Sequence, residues 1–515
     1  MQAFNAADFI LRHVDRLETK VALQYQPAAG ASVEVTYGAL GAAVDRVANV
    51  LVARGLKAGE RVMVLMNDSP RYYAAFLGAM KAGGVPIALN TRLSEADYTF
   101  VLTDSGAAIA LVDDVFAPIL KRARDAMTGD RAAPMFIRAT SLDAACDSAP
   151  SAFATVPMHA DAPAFWLYSS GTTGRPKGII HSHASCASAG KLMREWLQAD
   201  EHFRVFSTSK LFFAFALESV FLGALSLGAT SLVNEAWAEP EAVLAQVERF
   251  RPDIFFTVPT MFRRLLTLDA ERLKPFSAVR YHYTGGERLP DAVAARWEVA
   301  TGREVFECYC MSETFCNTLA NRPGVRRVGS CGQLLANVEA RLLDTSGAPA
   351  RADEPGILWI KHPTLTIGYN KMPADHPSFR DGWFCTNDRF VRDADGFFWH
   401  QGRADELLKV AGQWVKPGEV EEAALSSGAA REAACVVVPD ADGFERLALF
   451  VVPTDASRSA LAATIAATAA QLPRHSQPKW IREVAELPRT PTGKVQRYRL
   501  REALILELGS PPEIS

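Results

Sequence analysis

The chain has 515 residues, 49% hydrophobic and 22% charged, which excludes a disordered or fibrous protein and fits about two to four folded domains. Its 55 Lys and Arg against 58 Asp and Glu leave a net charge of -3, so no bulk electrostatic attraction points to a nucleic-acid backbone or an anionic membrane. The 8 cysteines are dispersed, and even the cluster Cys308, Cys310 and Cys316 lacks the CxxC pair or spaced His partner of a zinc site; free thiols in a reducing cytoplasm are the simplest reading.

The first residues, MQAFNAADFILRHVDRLE, carry acidic groups and no long apolar core, so a signal peptide is not expected. No apolar run reaches the roughly 18 residues needed to span a bilayer. Apolar residues at helical spacing predict a helix over 37–54, with Gly55 as its stop. RVMVLM (61–66) reads as a buried strand, 69–84 as a helix and VPIALN (85–90) as a second strand; this rhythm predicts a parallel sheet covered by helices.

Next, FWLYSSGTTGRPKGIIHSH (165–183) sends an apolar strand into Ser169, Ser170, Gly171, Thr172, Thr173 and Gly174, followed by Lys177. Glycines let several backbone N–H groups converge on one anion, hydroxyls add donors and the lysine adds a cation, so a polyphosphate cradle is predicted. A Walker A loop is excluded, because Pro176 precedes the lysine and Gly178 follows it. His181 and His183 form an H-x-H pair without a visible third ligand, which favours structural or ATP-proximal roles over a metal site.

The strand–helix rhythm returns over 203–262, around the apolar run KLFFAFALESVFLGAL (210–225). Residues 338–400 are rich in Gly, Asp and aromatics, as in β-hairpins with tight turns. After GRADELLKVAG the last 100 or so residues form their own pattern: a helix start at EVEEAAL, strands at AACVVVPD and LALFVVP, and a helix at SALAATIAATAAQL.

SSGTTGRPKG resembles the phosphate loop of the adenylate-forming superfamily (acyl-CoA synthetases, adenylation domains, luciferases). Further motifs follow in that family's order over nearly the whole chain, and KLFFAFAL, NRPG and GRADELLKVAGQWVKPGEVE look most like benzoate–CoA ligases. The fold class this implies is α/β: a large N-terminal domain (1–404) of two similar α/β subdomains plus a β-rich subdomain, and a small mobile α+β C-terminal domain (405–515).

The resemblance also implies roles, residue by residue. In TGGERLP (284–290), Gly285, Gly286 and Glu287 would flank the acid and the nucleotide. In ECYCMSET (307–314), Glu307 would accept from the adenine amino group, Tyr309 stack on adenine, Ser312 contact phosphate and Glu313 hold Mg²⁺; Cys310 and Ser312 replace the usual glycine and threonine. CTNDRF (385–390) resembles the T-G-D motif with Asn387 for glycine, and Asp388 would bind the ribose. Arg403 would contact the nucleotide and Asp405 be the hinge. Gly412, with Lys409 and Trp414, would line the CoA tunnel. In LPRTPTGKVQR (487–497), Lys494 would bridge the carboxylate and the α-phosphate. Phe213, Ala214, Phe215, Cys310, Met311 and Cys316 would border the acid, with Phe215 and Cys316 where benzoate ligases show tyrosine and histidine.

The implied reaction is ATP-dependent: an acyl-adenylate forms with loss of pyrophosphate, and coenzyme A then takes the acyl group, releasing AMP. Lys494, Lys177 and Mg²⁺ on Glu313 would hold the repelling anions together. An aromatic, benzoate-like acid is expected, with a medium-chain aliphatic acid, loading of a separate carrier protein, and a nucleotide sensor without turnover as alternatives. A homodimer is left open.

Overall fold

The computed structural model describes all residues except 1–3, 129–132, 171–175, 345, 374, 405–407, 411–412, 416, 441–443, 455–471, 490–494 and 509–515; residues 170, 408–410, 413–414 and 475 are described by backbone alone. Packing divides the chain into two compact units: Met1–Ala340 with Trp359–Phe384 and Arg392–Trp399, and Arg341–Leu358 with Cys385–Val391 and His400–Ser515.

Two sheets organise the first unit. In the seven-stranded one the order is 368–369, 176–182, 163–170, 85–88, 61–65, 109–112, 135–138. Strands 61–65, 85–88, 109–112 and 135–138 pair in parallel, as their continuous apolar runs predict. Side chains alternate across the strand: Val62 and Val64 face one core, while Met63 and Leu65 face another with Tyr98, Val101 and Leu120. The helix expected over 69–84 runs Pro70–Lys81. Ser69 caps it by accepting from the Tyr72 N–H, and Pro70 sits where no N–H is needed.

The nine-stranded sheet has the order 333–334, 319–320, 305–309, 281–284, 254–257, 204–207, 230–234, 21–26, 33–36. Strand Val21–Gln26 pairs in parallel with Thr230–Asn234, Leu23 opposite Ser231, so a segment from the first tenth of the chain closes the second sheet. Nothing in local periodicity announces a partner about 200 residues away. Helices Tyr37–Ala53 and Pro70–Lys81 share a buried core with the helical run 214–227. There the Phe221 ring meets Tyr73 at 4.0 Å and Phe76 at 5.4 Å between centroids. Burying one such ring stabilises by roughly 1.5–3 kcal/mol.

Strands Glu339–Leu343, Gly356–Lys361, Trp383–Arg392 and Phe398–Arg403 make up the β-rich stretch the sequence predicts. In the second unit, Ala430–Pro439, Glu445–Pro453 and Trp480–Glu483 form a three-stranded sheet. Cys435 and Val437 pack with Val420 and Ala424 of helix Pro417–Ser426, while Ala434, Val436 and Val438 pack with Leu500 and Leu504 of helix Arg497–Leu508. The period-two alternation thus feeds one helix on each face. The helix expected at 459–472 falls almost wholly outside the described residues. Among the described residues no helix is long and apolar enough to cross a membrane.

Candidate active site

Phe165, Trp166 and Leu167 are buried in strand Pro163–Ser170, which pairs antiparallel with Pro176–Ser182. The register sets Ser169 opposite Lys177 and Ser170 opposite Pro176. Lys177 therefore lies on a strand and not at the start of a helix, as the exclusion of a Walker A loop leads one to expect. Gly171, Thr172, Thr173 and Gly174 lie outside the described residues.

A third strand, Gly368–Tyr369, adds antiparallel to 176–182, with Tyr369 opposite Ile179. That pairing brings the Tyr369 ring to 5.5 Å from the Lys177 ammonium and its hydroxyl to 3.0 Å from Glu313 Oε1, to which it donates. Backbone fixes Glu313 from the other side, since its carbonyl accepts from the Thr366 N–H at 2.8 Å. A cation, a phenol and a carboxylate so stand in a row at the end of the Ser/Thr/Gly segment.

The turn carrying Glu313 is held in turn. His181 Nε2 donates to the Ser312 carbonyl at 2.8 Å, and the ring stacks on Phe165 at 4.9 Å. A carbonyl only accepts, so the proton sits on Nε2; burial lowers this imidazole to about 4 and keeps it neutral. His183 accepts from the Ala6 N–H at 3.0 Å and is also pushed down to about 4 by burial. Both histidines of the H-x-H pair are thus engaged with backbone. Phe315 adopts φ +59 while fully buried, and the Cys316 N–H donates to the Thr314 carbonyl at 2.6 Å, a γ-turn. Bulky residues rarely occupy that conformation, and such strain gathers at functional sites.

TGGERLP and ECYCMSET meet through Glu307, whose Oε2 accepts from the Leu289 N–H at 3.2 Å. Burial, only partly opposed by that N–H and by Arg288, raises its carboxyl to about 7. Glu287 instead accepts from the Thr260 N–H and hydroxyl at 3.0 and 2.7 Å, at the start of helix Pro259–Leu265. Gly286 has φ +88 and open space beside it. Tyr309 ends strand Val305–Tyr309, its carbonyl accepting from the Thr318 N–H.

Gly285 is where the expected acid pocket meets this region. A Cβ there would lie 3.2 Å from the Cys308 carbonyl and thiol and 3.6 Å from the Phe215 ring. Phe215 packs edge-on to Phe256 at 5.5 Å, Ala214 and Cys316 are buried, and Phe213, Cys310 and Met311 are half-buried. Tyr369, Glu218 and Asn317 are the neighbours that sequence reasoning missed. For Glu218 a signal existed: a lone acid inside the apolar run 210–225.

In the second unit, Arg403 lies 3.6 Å and His400 3.5 Å from the buried Asp388 carboxylate. Asn387 has φ +58, the left-handed region that asparagine tolerates best after glycine, so its replacement of the motif's glycine preserves the turn. Lys409 and Trp414 are opposite one another in the hairpin 408–410/413–415. Asp405, Gly412 and Lys494 lie outside the described residues.

Residues 10–370 match the model of the AMP-binding enzyme family, and residues 419–494 match that of the AMP-binding enzyme C-terminal domain. The chain is 40% identical to 3-hydroxybenzoate–CoA ligase of Aromatoleum sp. (strain CIB), over 98% of this chain and 97% of the relative. It is 34% identical to benzoate–CoA ligase of Thauera aromatica, over 91% and 90%. The crystal structure of the anthranilate CoA ligase AuaEII in complex with anthranoyl-AMP superposes with TM-score 0.88 at 29% identity, covering 98% of both chains. This chain belongs to the AMP-binding enzyme family.

Proposed function

We propose that the chain is an ATP-dependent acid–CoA ligase that activates an aromatic carboxylic acid as its adenylate and passes the acyl group to coenzyme A. The observation that carries this is the Lys177–Tyr369–Glu313 row, with Ser169 opposite Lys177. Its setting in a chain alike over nearly its whole length to aryl–CoA ligases supplies the context.

A carboxylate and a triphosphate repel, so their reaction needs cations placed beforehand. Lys177 offers one at the phosphate segment. Glu313 suits Mg²⁺: it is a hard oxygen ligand already oriented by Tyr369 and Thr366. No cluster of three or more candidate metal ligands exists among the described residues, and Mg²⁺ takes one or two carboxylates plus phosphate and water. When bound, Mg²⁺ neutralises charge on the triphosphate. Glu307, buried and raised to about 7, presents a carboxyl to the adenine edge, while Asp388 and Arg403 hold ribose and phosphate.

In this reading residues 1–404 bind ATP and the acid, and 405–515 form the second domain. Lys494 bridges carboxylate and α-phosphate in the first step. The chain beyond Asp405 then turns, and Gly412, with Lys409 and Trp414, admits the thiol. The acid's carboxylate oxygen bonds to the α-phosphorus as pyrophosphate leaves; the CoA sulfur next bonds to the acyl carbon as AMP leaves. A panel of aryl and aliphatic acids, assayed for CoA-dependent AMP release, tests the proposal. Aryl-CoA and AMP in equal amounts are expected; AMP release that ignores free CoA, or favours aliphatic acids, overturns it.

A further inference from the structure

We propose that Glu218 and Asn317 form a subsite that reads a ring hydroxyl on the aryl acid. The inference rests on the ligase reading above and on residues 210–225 and 308–316 bordering the acid.

Glu218 lies on a π-helical stretch, Leu217–Gly223, inside the helical run that begins at Ala214. Such bulges occur frequently at functional sites, because the extra residue re-aims side chains. Here the bulge packs tightly: a Cβ at Gly223 would come within 2.8 Å of the Gly190 nitrogen. Glu218 sits one turn after Phe215 and is only 3% exposed; the Arg194 charge acts on its carboxyl, but burial outweighs it. Its Oε1 accepts from the Gly190 N–H at 2.9 Å, and its Oε2 has the Asn317 side-chain amide at 3.4 Å.

Asn317 follows Cys316 and is also 3% exposed; its Oδ1 has no hydrogen-bond partner among the described residues. Two acceptors, one weakly served and one unserved, therefore stand together beside the expected acid pocket. Buried acceptors without donors are costly, so they call for a donor from outside the chain. Glu218, Asn317 and Cys316 line one narrow cleft with Ser188, Lys191 and His362, too tight for a whole ring; the Lys191 ammonium there donates to the Ala336 carbonyl at 2.9 Å. It suits a substituent that projects from a ring held nearer Phe215 and Gly285.

Burial raises the Glu218 carboxyl to about 7, and its charge in turn helps raise the thiols of Cys310 and Cys316. The acid thus lies within electrostatic reach of two residues expected at the pocket wall. A neutral hydroxyl satisfies such acceptors, whereas a second carboxylate is repelled and an unsubstituted ring leaves them unpaired.

The test is kcat/KM for AMP release with benzoate, 3-hydroxybenzoate and 4-hydroxybenzoate, in the full-length protein and in Glu218→Gln. The glutamine keeps a carbonyl for the Gly190 N–H but loses the second acceptor. The wild type is expected to favour one hydroxybenzoate over benzoate by on the order of 10- to 100-fold, and Glu218→Gln to cut that ratio about tenfold or more. Asn317→Ala is expected to lower the same ratio, and tests the subsite independently should the glutamine variant fail to fold. Aryl-CoA formation with an unchanged ratio in the variants, or with parallel losses on all three acids, overturns the subsite and leaves the ligase reading intact. No aryl-CoA from any of the acids with the wild type overturns both.

Discussion

The Tyr369 hydroxyl donates to Glu313 Oε1 across 3.0 Å, while the same ring lies 5.5 Å from the Lys177 ammonium. One phenol thereby sets the spacing between the cation and the carboxylate that we propose act on the phosphates. Neither contact follows from local sequence, since Tyr369 joins the site through strand pairing with residues about 190 positions earlier.

Tyr369→Phe keeps the ring under Lys177 and deletes only the donor to Glu313. A hydrogen bond to a charged group is worth about 1.5–3 kcal/mol, of which part is lost equally from ground and transition states. We expect adenylate formation to fall about tenfold, with a higher Mg²⁺ requirement. Acid-dependent pyrophosphate exchange across a Mg²⁺ titration checks this; a wild-type Mg²⁺ profile removes Tyr369 from the role.

Gly285→Ala places a methyl 3.2 Å from the Cys308 carbonyl and thiol and 3.6 Å from Phe215. Backbone yields poorly, so the crowding should cost about 1 kcal/mol of stability. The shift moves the wall of the acid pocket, and we expect KM for the acid to rise several-fold with a smaller change in KM for ATP. Equal changes in both would detach Gly285 from the acid.

The motifs were legible because their chemistry is local. Hydroxyls, glycines and a lysine after an apolar strand signal an anion cradle; residues 171–174 of it lie outside the described residues, and Lys177 lies on strand Pro176–Ser182. The alternating strands and covering helices of 61–88 read equally well. What the sequence hid is pairing over distance: Val21–Gln26 in the second sheet, Tyr369 beside Glu313, and His181 under Ser312. Also hidden was the bond from the Thr260 N–H to the Glu287 carboxylate, between segments 27 residues apart. The π-helical stretch at Glu218 also escaped, because an apolar run looks alike whether its turns are α or π.

Buried histidines set the response to acid. His282 accepts from the Trp297 indole at 2.9 Å, donates to the Phe276 carbonyl at 3.1 Å, and is lowered by burial to about 3. A folded-state value below the unfolded one means stability is full above about pH 6.5 and is lost as pH falls toward the folded value. His181, His183 and His362, each near 4, act in the same sense. The raised carboxyls of Glu218 and Glu307 act oppositely between about pH 4.5 and 7, where they favour the folded state at lower pH. Buried Asp68 and Asp113 are raised as well and His13 and His376 lowered, so the contributions oppose one another and a single histidine is the clean readout: wild type and variant are compared by urea midpoints at pH 7.5 and 5.0. His282→Gln should make stability at pH 5.0, relative to pH 7.5, more favourable by about 2 kcal/mol than in the wild type; an unchanged difference would mean the imidazole is protonated in the fold.

The half-reactions should separate genetically. With Gly412 in the proposed thiol path, Gly412→Leu should retain pyrophosphate exchange and lose thioester formation. Unimpaired thioester formation would remove Gly412 from that path.

The central claim is that a cationic site joins an aryl carboxylate to the α-phosphate before coenzyme A takes part. Its most direct measurement is ATP–pyrophosphate exchange without coenzyme A, with and without 3-hydroxybenzoate, in the wild type and in Lys494→Ala. Exchange that requires the acid, is lost on replacing Lys494, and leaves the variant able to pass supplied aryl-adenylate to coenzyme A is the predicted result. Exchange with no acid tried, or a variant that fails equally in both halves, contradicts it.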